Sequence, residues 1–262
     1  MRIKANGIQI HYKLSGKKGA ATVMLSHSLG SSLLMWDPQI EALNASFQVL
    51  RYDIRGHGAS DAPSGPYTLE LLAEDVVGLL DGLGKGQVHF VGLSMGGMIG
   101  QCLALNHPQR LKSLTLCDTS SIVPAEAQPI WQERSDKVRE RGMEALFEET
   151  LERWFTQAFL RQNPPIVQLI RKQVLATPVA GYLGCVEAIR RLNYLDRIPE
   201  IRTPTLIIVG EDDPGMPVPS AEGMHQRIAG SRLAVLPSAR HLSNVEQAGA
   251  FNAALLEFLK GQ

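Results

Sequence analysis

A chain of 262 residues with 44% hydrophobic side chains can bury the core of one large α/β domain and still carry an inserted subdomain. Its 26 basic and 26 acidic side chains cancel, which argues against nucleic acid as a partner and against electrostatic anchoring to a membrane. Cys102, Cys117 and Cys185 form no Cys-x-x-Cys pair, Met1–Gly7 holds no apolar signal stretch, and no apolar run reaches membrane-spanning length. A cytoplasmic protein with buried free thiols is therefore expected.

In chain order, Ile3–Ala5 and Ile8–Tyr12 flank Asn6-Gly7, the residue pair that favours a two-residue hairpin turn. Short apolar or β-branched runs follow at Thr22–Ser26, Gln48–Tyr52, Gln87–Val91, Leu111–Leu116, Thr205–Val209 and Arg232–Leu236, each read as a strand. Helical periodicity fills Leu69–Leu83, Met95–Asn106 and Gln247–Leu259. Strand–helix alternation of this kind predicts an α/β fold, with a mostly parallel central sheet, helices on both faces and the hairpin as an antiparallel edge.

From Thr119 to Arg197 the alternation stops. Helical patterns over Glu133–Thr150, Leu151–Leu160, Ile166–Leu175 and Gly181–Leu192 are punctuated by Pro124, Pro129, Pro164-Pro165 and Pro178. Residues 119–197 are read as a helical lid inserted into a core made of residues 1–118 and 198–262. A helical layer packed on one sheet face is the alternative.

Gly92-Leu93-Ser94-Met95-Gly96 joins a predicted strand to a predicted helix. The pattern suits a sharp turn that exposes a nucleophilic serine at a helix N-terminus, with small residues where the backbone is crowded. A serine hydroxyl needs a base, and that base needs an orienting group. His241 follows the last strand and is the candidate base, whereas His27 and His57 suit loop bracing. Asp213, in Gly210-Glu211-Asp212-Asp213-Pro214, is the candidate acid, with Asp212 and Asp118 as alternatives. The chain order Ser, Asp, His is that of the α/β-hydrolase triad. Backbone N–H groups of Met95 and of Leu29, in His27-Ser28-Leu29-Gly30, are the candidate oxyanion donors.

These segments, together with Asp53-Ile54-Arg55-Gly56-His57-Gly58-Ala59-Ser60, resemble the α/β-hydrolase superfamily in order and across nearly the whole chain. Glu152-Arg153-Trp154-Phe155-Thr156, Gly181-Tyr182-Leu183-Gly184-Cys185 and His241-Leu242-Ser243-Asn244-Val245-Glu246-Gln247 are similar to 3-oxoadipate enol-lactonases, which open an enol-lactone ring in aromatic catabolism. The resemblance implies a serine esterase or lactonase acting through an acyl-enzyme on a small molecule. A broad carboxylesterase and a cofactor-free haloperoxidase or perhydrolase are the alternatives. From residue 150 to 195, six basic side chains (Arg153, Arg161, Arg171, Lys172, Arg190, Arg191) face two acidic ones (Glu152, Glu187), which suits an anionic substrate. Arg153 and Trp154 are the candidate substrate-binding residues. No phosphate loop, dinucleotide fingerprint or metal-ligand spacing occurs, so neither cofactor nor metal is implied.

Overall fold

The computed structural model describes residues 1–262. Eight strands form one sheet: β1 (Arg2–Ala5), β2 (Ile8–Gly16), β3 (Thr22–Ser26), β4 (Gln48–Tyr52), β5 (Val88–Leu93), β6 (Leu111–Cys117), β7 (Thr205–Gly210) and β8 (Arg232–Leu236). Their spatial order is β1-β2-β4-β3-β5-β6-β7-β8. The β1–β2 and β2–β4 pairs are antiparallel and every later pair is parallel. The predicted hairpin thus lies at one edge, and β2 runs on to Gly16, four residues past its predicted end, because it pairs with β4.

The strands β3 to β6 are buried along almost their whole length, as expected of parallel strands covered on both faces. The helices α1 (Asp37–Asn44), α2 (Leu69–Gly82) and α3 (Met95–Asn106) follow β3, β4 and β5 in turn. From β3 the chain steps to β4 on one side, then crosses back over β3 to β5 on the other. Right-handed crossovers therefore set α1 on one face and α2 and α3 on the opposite one. The strand order reverses between β3 and β5, and the crevice at their carboxyl ends is where such sheets bind ligands. Both the Leu29 loop and the Ser94 turn leave from those two ends.

Between β6 and β7 come α4 (Gln128–Arg141), α5 (Phe147–Trp154), α6 (Gln157–Gln162), α7 (Pro165–Ala176) and α8 (Val179–Arg190). The predicted helix Glu133–Thr150 is two helices, because Gly142 turns to φ 72° and ends α4. The predicted Leu151–Leu160 helix is also split, at extended Phe155, and Thr156 caps α6 by accepting from the Phe159 amide. Two glycines seat α8 on the core. A Cβ at Gly181 would run into the backbone of Gly56, and one at Gly184 would meet the Tyr67 ring. The chain closes with α9 (Val218–Arg227), α10 (Ser243–Glu246) and α11 (Ala248–Lys260), the last packed against α1. α1 is not among the predicted helices, since it is short with few buried apolar positions. No helix is long and apolar enough to cross a membrane.

Candidate active site

The turn from β5 into α3 puts Ser94 at φ 55°, ψ −116°, a strained conformation for a residue with a side chain. Packing over-determines it. The Ser94 amide donates to the Cys117 carbonyl at 2.8 Å, and its own carbonyl accepts from Thr119 Oγ1 at 2.8 Å. A Cβ on Gly92 would collide with the Gly96 carbonyl, and one on Gly96 with the Ser26 carbonyl, so only glycine permits the strand and helix to approach this closely.

At the far ends of β7 and β8, the amides of Glu211 and Asp212 donate to the carbonyls of Leu236 and Ala239, both at 2.9 Å. This lacing carries Asp213 to His241, where Oδ2 lies 2.7 Å from Nδ1. The other carboxylate oxygen accepts from the amides of Gly215 (2.8 Å) and Met216 (3.1 Å), so Asp213 is held at both ends. Asp212 points into solvent. Asp118 is buried elsewhere, accepting from the Gly210 amide at 2.8 Å and from Ser243 Oγ at 2.5 Å. Burial, with Asp213 nearby, pushes the Asp118 carboxyl well above the usual carboxylate range.

The loop after β3 is braced by two buried imidazoles. His27 Nε2 accepts from the Ile54 amide and His57 Nε2 from the Gly30 amide, both at 2.9 Å, while each Nδ1 faces a backbone carbonyl. Accepting at one nitrogen and donating at the other requires the neutral ring. Burial and the neighbouring His27 lower His57 to about 3, and burial lowers His27.

Ser94, Asp213, His241 and Leu29 line one cavity of about 550 Å³. Met95 is fully buried and contributes no wall; its amide opens α3. Arg153 and Trp154 both line the cavity, and the Trp154 carbonyl accepts from the Leu242 amide at 3.1 Å, tying α5 to the His241 loop. Glu246 reinforces the tie by accepting from the amides of Thr156 (3.0 Å) and Arg240 (2.9 Å).

The six-to-two charge excess is not a property of the cavity. Arg171 pairs with Glu148 and Arg190 with Glu187, while Arg161, Lys172 and Arg191 are exposed away from it. Arg153 alone of the six reaches the wall. The second cation there is Arg134 on α4, which lies upstream of the counted window. Arg134 is only 5% exposed, stacks 5.2 Å from the Trp131 ring centroid, and has neither a hydrogen bond nor an ion pair with the protein. The spacing Trp131-x-x-Arg134, which puts both side chains on one helix face, was the signal available in the sequence. No cluster of three or more His, Cys, Asp or Glu side chains is arranged to hold a metal ion.

The α/β-hydrolase fold family model matches residues 21–248. A 3-oxoadipate enol-lactonase of Acinetobacter baylyi is 36% identical over 258 residues, covering 98% of this chain and 96% of the relative. The enol-lactonase from Burkholderia xenovorans superposes with a TM-score of 0.96 at 39% identity, covering 99% of this chain and all of that one. A thermophilic esterase from Thermogutta terrifontis, solved with malate bound, gives a TM-score of 0.94 at 30% identity over 100% of this chain and 98% of its own. On its strand order, its strained serine turn and these matches, the chain belongs to the α/β-hydrolase fold family.

Proposed function

We propose that the protein is a serine hydrolase of carboxylic esters or lactones, and that its substrate is an enol-lactone bearing a free carboxylate, of the 3-oxoadipate type. In this mechanism Ser94 attacks the ring carbonyl and His241 takes the proton at Nε2, because Nδ1 is committed to Asp213. Asp213 fixes the imidazole tautomer and stabilises its charged form. The Leu29 and Met95 amides receive the oxyanion. The enol oxygen leaves with a proton from His241, opening the ring while the chain stays attached as an acyl-enzyme. Water activated by His241 then releases the acid.

The observation that carries the substrate assignment is Arg134. A buried guanidinium that stacks on Trp131 but has no hydrogen-bond or ion-pair partner carries a cost, and the cavity that contains Ser94 is where an incoming carboxylate would offset it. Arg153 supplies a second positive group on the same wall, and Trp131 and Trp154 supply apolar surface. In this reading residues 119–197 are a lid on a core of residues 1–118 and 198–262, and the enzyme serves aromatic catabolism in the cytoplasm. The identity to enol-lactonases over nearly the whole chain supports the same assignment.

A broad carboxylesterase is the second reading, favoured by a cavity roomy enough for larger acyl groups and by the likeness to an esterase. Initial rates on the enol-lactone and on neutral aryl acetates separate the two. A kcat/KM for the lactone at least a hundredfold above that for aryl acetates supports the lactonase, and equal values overturn it. Halogenation with acetate and peroxide tests the perhydrolase alternative.

A further inference from the structure

Gln173 lies on α7, 8% exposed, and its side-chain oxygen is shared by three donors from the loop after β3. Oε1 accepts from Ser31 Oγ at 3.0 Å, the Ser32 amide at 3.0 Å and Ser32 Oγ at 2.9 Å. A carbonyl oxygen has two lone pairs, so this one is fully used. The Gln173 amide nitrogen, by contrast, is buried without a partner. Leaving a buried donor unsatisfied carries a cost, and the fold tolerates it while Oε1 faces the loop.

No other residue between β6 and β7 hydrogen-bonds to residues 27–33. From the core, His57 holds the Gly30 amide at 2.9 Å and Asp53 Oδ1 holds the Leu33 amide at 2.8 Å. Leu29 is thus followed directly by two anchors, one at Gly30 and another at Ser31–Ser32. The first is rooted in the core loop, the second in a helix of the inserted segment.

We infer that Gln173 is a positioning residue, which fixes the Ser31–Ser32 turn from α7 and thereby sets where the Leu29 amide meets the developing oxyanion. The inference rests on the proposed role of Leu29. It also couples the inserted segment to the chemistry, since any displacement of α7 pulls on the loop. Oxyanion contacts form in the transition state rather than with bound substrate, so loss of Gln173 acts on kcat and leaves KM nearly alone.

The test compares Gln173→Met, which keeps length and removes the acceptor, with Gln173→Glu, which keeps acceptor oxygens, using a short aryl ester. Gln173→Met is expected to lower kcat about 10- to 100-fold, at or below the roughly 10²- to 10³-fold lost with an oxyanion donor itself. KM should stay within about twofold, the pH profile of kcat/KM should be unchanged, and Gln173→Glu should recover most of kcat. Ser31→Ala, which removes one of the three donors, should show a smaller loss of the same kind and carries the test should Gln173→Met not fold. A kcat within twofold of the parent in Gln173→Met, or the same loss in Met and Glu variants, overturns the inference. Retained activity in folded Ser94→Ala would instead remove the mechanism on which it rests.

Discussion

Asp213 Oδ2 lies 2.7 Å from His241 Nδ1, and the turn carrying the acid is laced by backbone hydrogen bonds to the loop carrying the base. The pair is therefore preformed, and its directionality is testable. Asp213→Asn keeps the shape while offering an amide that can donate to Nδ1. The imidazole then carries its proton on Nε2, where it cannot accept one from Ser94. On the proposed mechanism kcat falls by about 10³- to 10⁴-fold near neutral pH. Melting temperature and circular dichroism should report a folded protein. A loss below tenfold means that Asp213 does not orient the base.

The sheet was legible because parallel strands buried on both faces read as short apolar runs, and the Ser94 turn because its backbone admits only glycine at Gly92 and Gly96. Spacing could not choose among Asp118, Asp212 and Asp213. That choice is made by backbone bonds between two loops some 25 residues apart in sequence, which place one acid at His241, one in solvent and one in the core. Arg134 and Gln173 escaped for a related reason. Each is an ordinary polar residue on a helix, and only the tertiary packing of α4 and α7 brings one to the cavity and the other to the Leu29 loop.

Asp118 gives a pH dependence of definite sign. Its folded-state pKa lies above the unfolded value, because burial and nearby Asp213 disfavour the charge. The stability it contributes is fully present below the unfolded carboxylate pKa, about 3.9, and is lost as pH rises towards the folded value. Asp118→Asn mimics the protonated acid: its oxygen can accept from the Gly210 amide and its nitrogen can donate to Ser243. Denaturant unfolding across pH 4 to 8 should therefore show the variant gaining on the parent as pH rises. A difference that is flat or opposite in sign means the carboxylate is not destabilised by its surroundings.

His57 produces the opposite slope. Its pKa is lowered from 6.5 to about 3 by burial and by His27, so folding is favoured while the ring is neutral. That contribution is present above the unfolded pKa and is lost as pH falls from about 6.5 towards 3, as the unfolded chain takes up a proton the folded one refuses. His57→Gln can still accept from the Gly30 amide but cannot protonate. It should be less stable than the parent at pH 8 and lose less on acidification to pH 4. Parallel melting-temperature curves for the two proteins would count against this account.

Arg134 joins function and stability in one measurement. Its guanidinium is buried over the Trp131 ring but makes no hydrogen bond or ion pair, so in the folded protein without substrate the desolvated charge is only partly compensated. Arg134→Met preserves the stem volume and removes the charge. The melting temperature should stay level or rise, unlike that of an ordinary core substitution. Activity should respond selectively. Loss of a charge-assisted contact costs about 1.5–3 kcal/mol, roughly ten- to more than a hundredfold in kcat/KM for a lactone bearing a carboxylate. A neutral aryl acetate offers the guanidinium nothing, and its kcat/KM should change little. Arg153→Met should show the same selectivity in weaker form, because Arg153 is only partly buried and its interaction is screened by water. Equal losses on both substrates, together with a lower melting temperature, would make Arg134 a packing residue and shift the balance to the broad carboxylesterase.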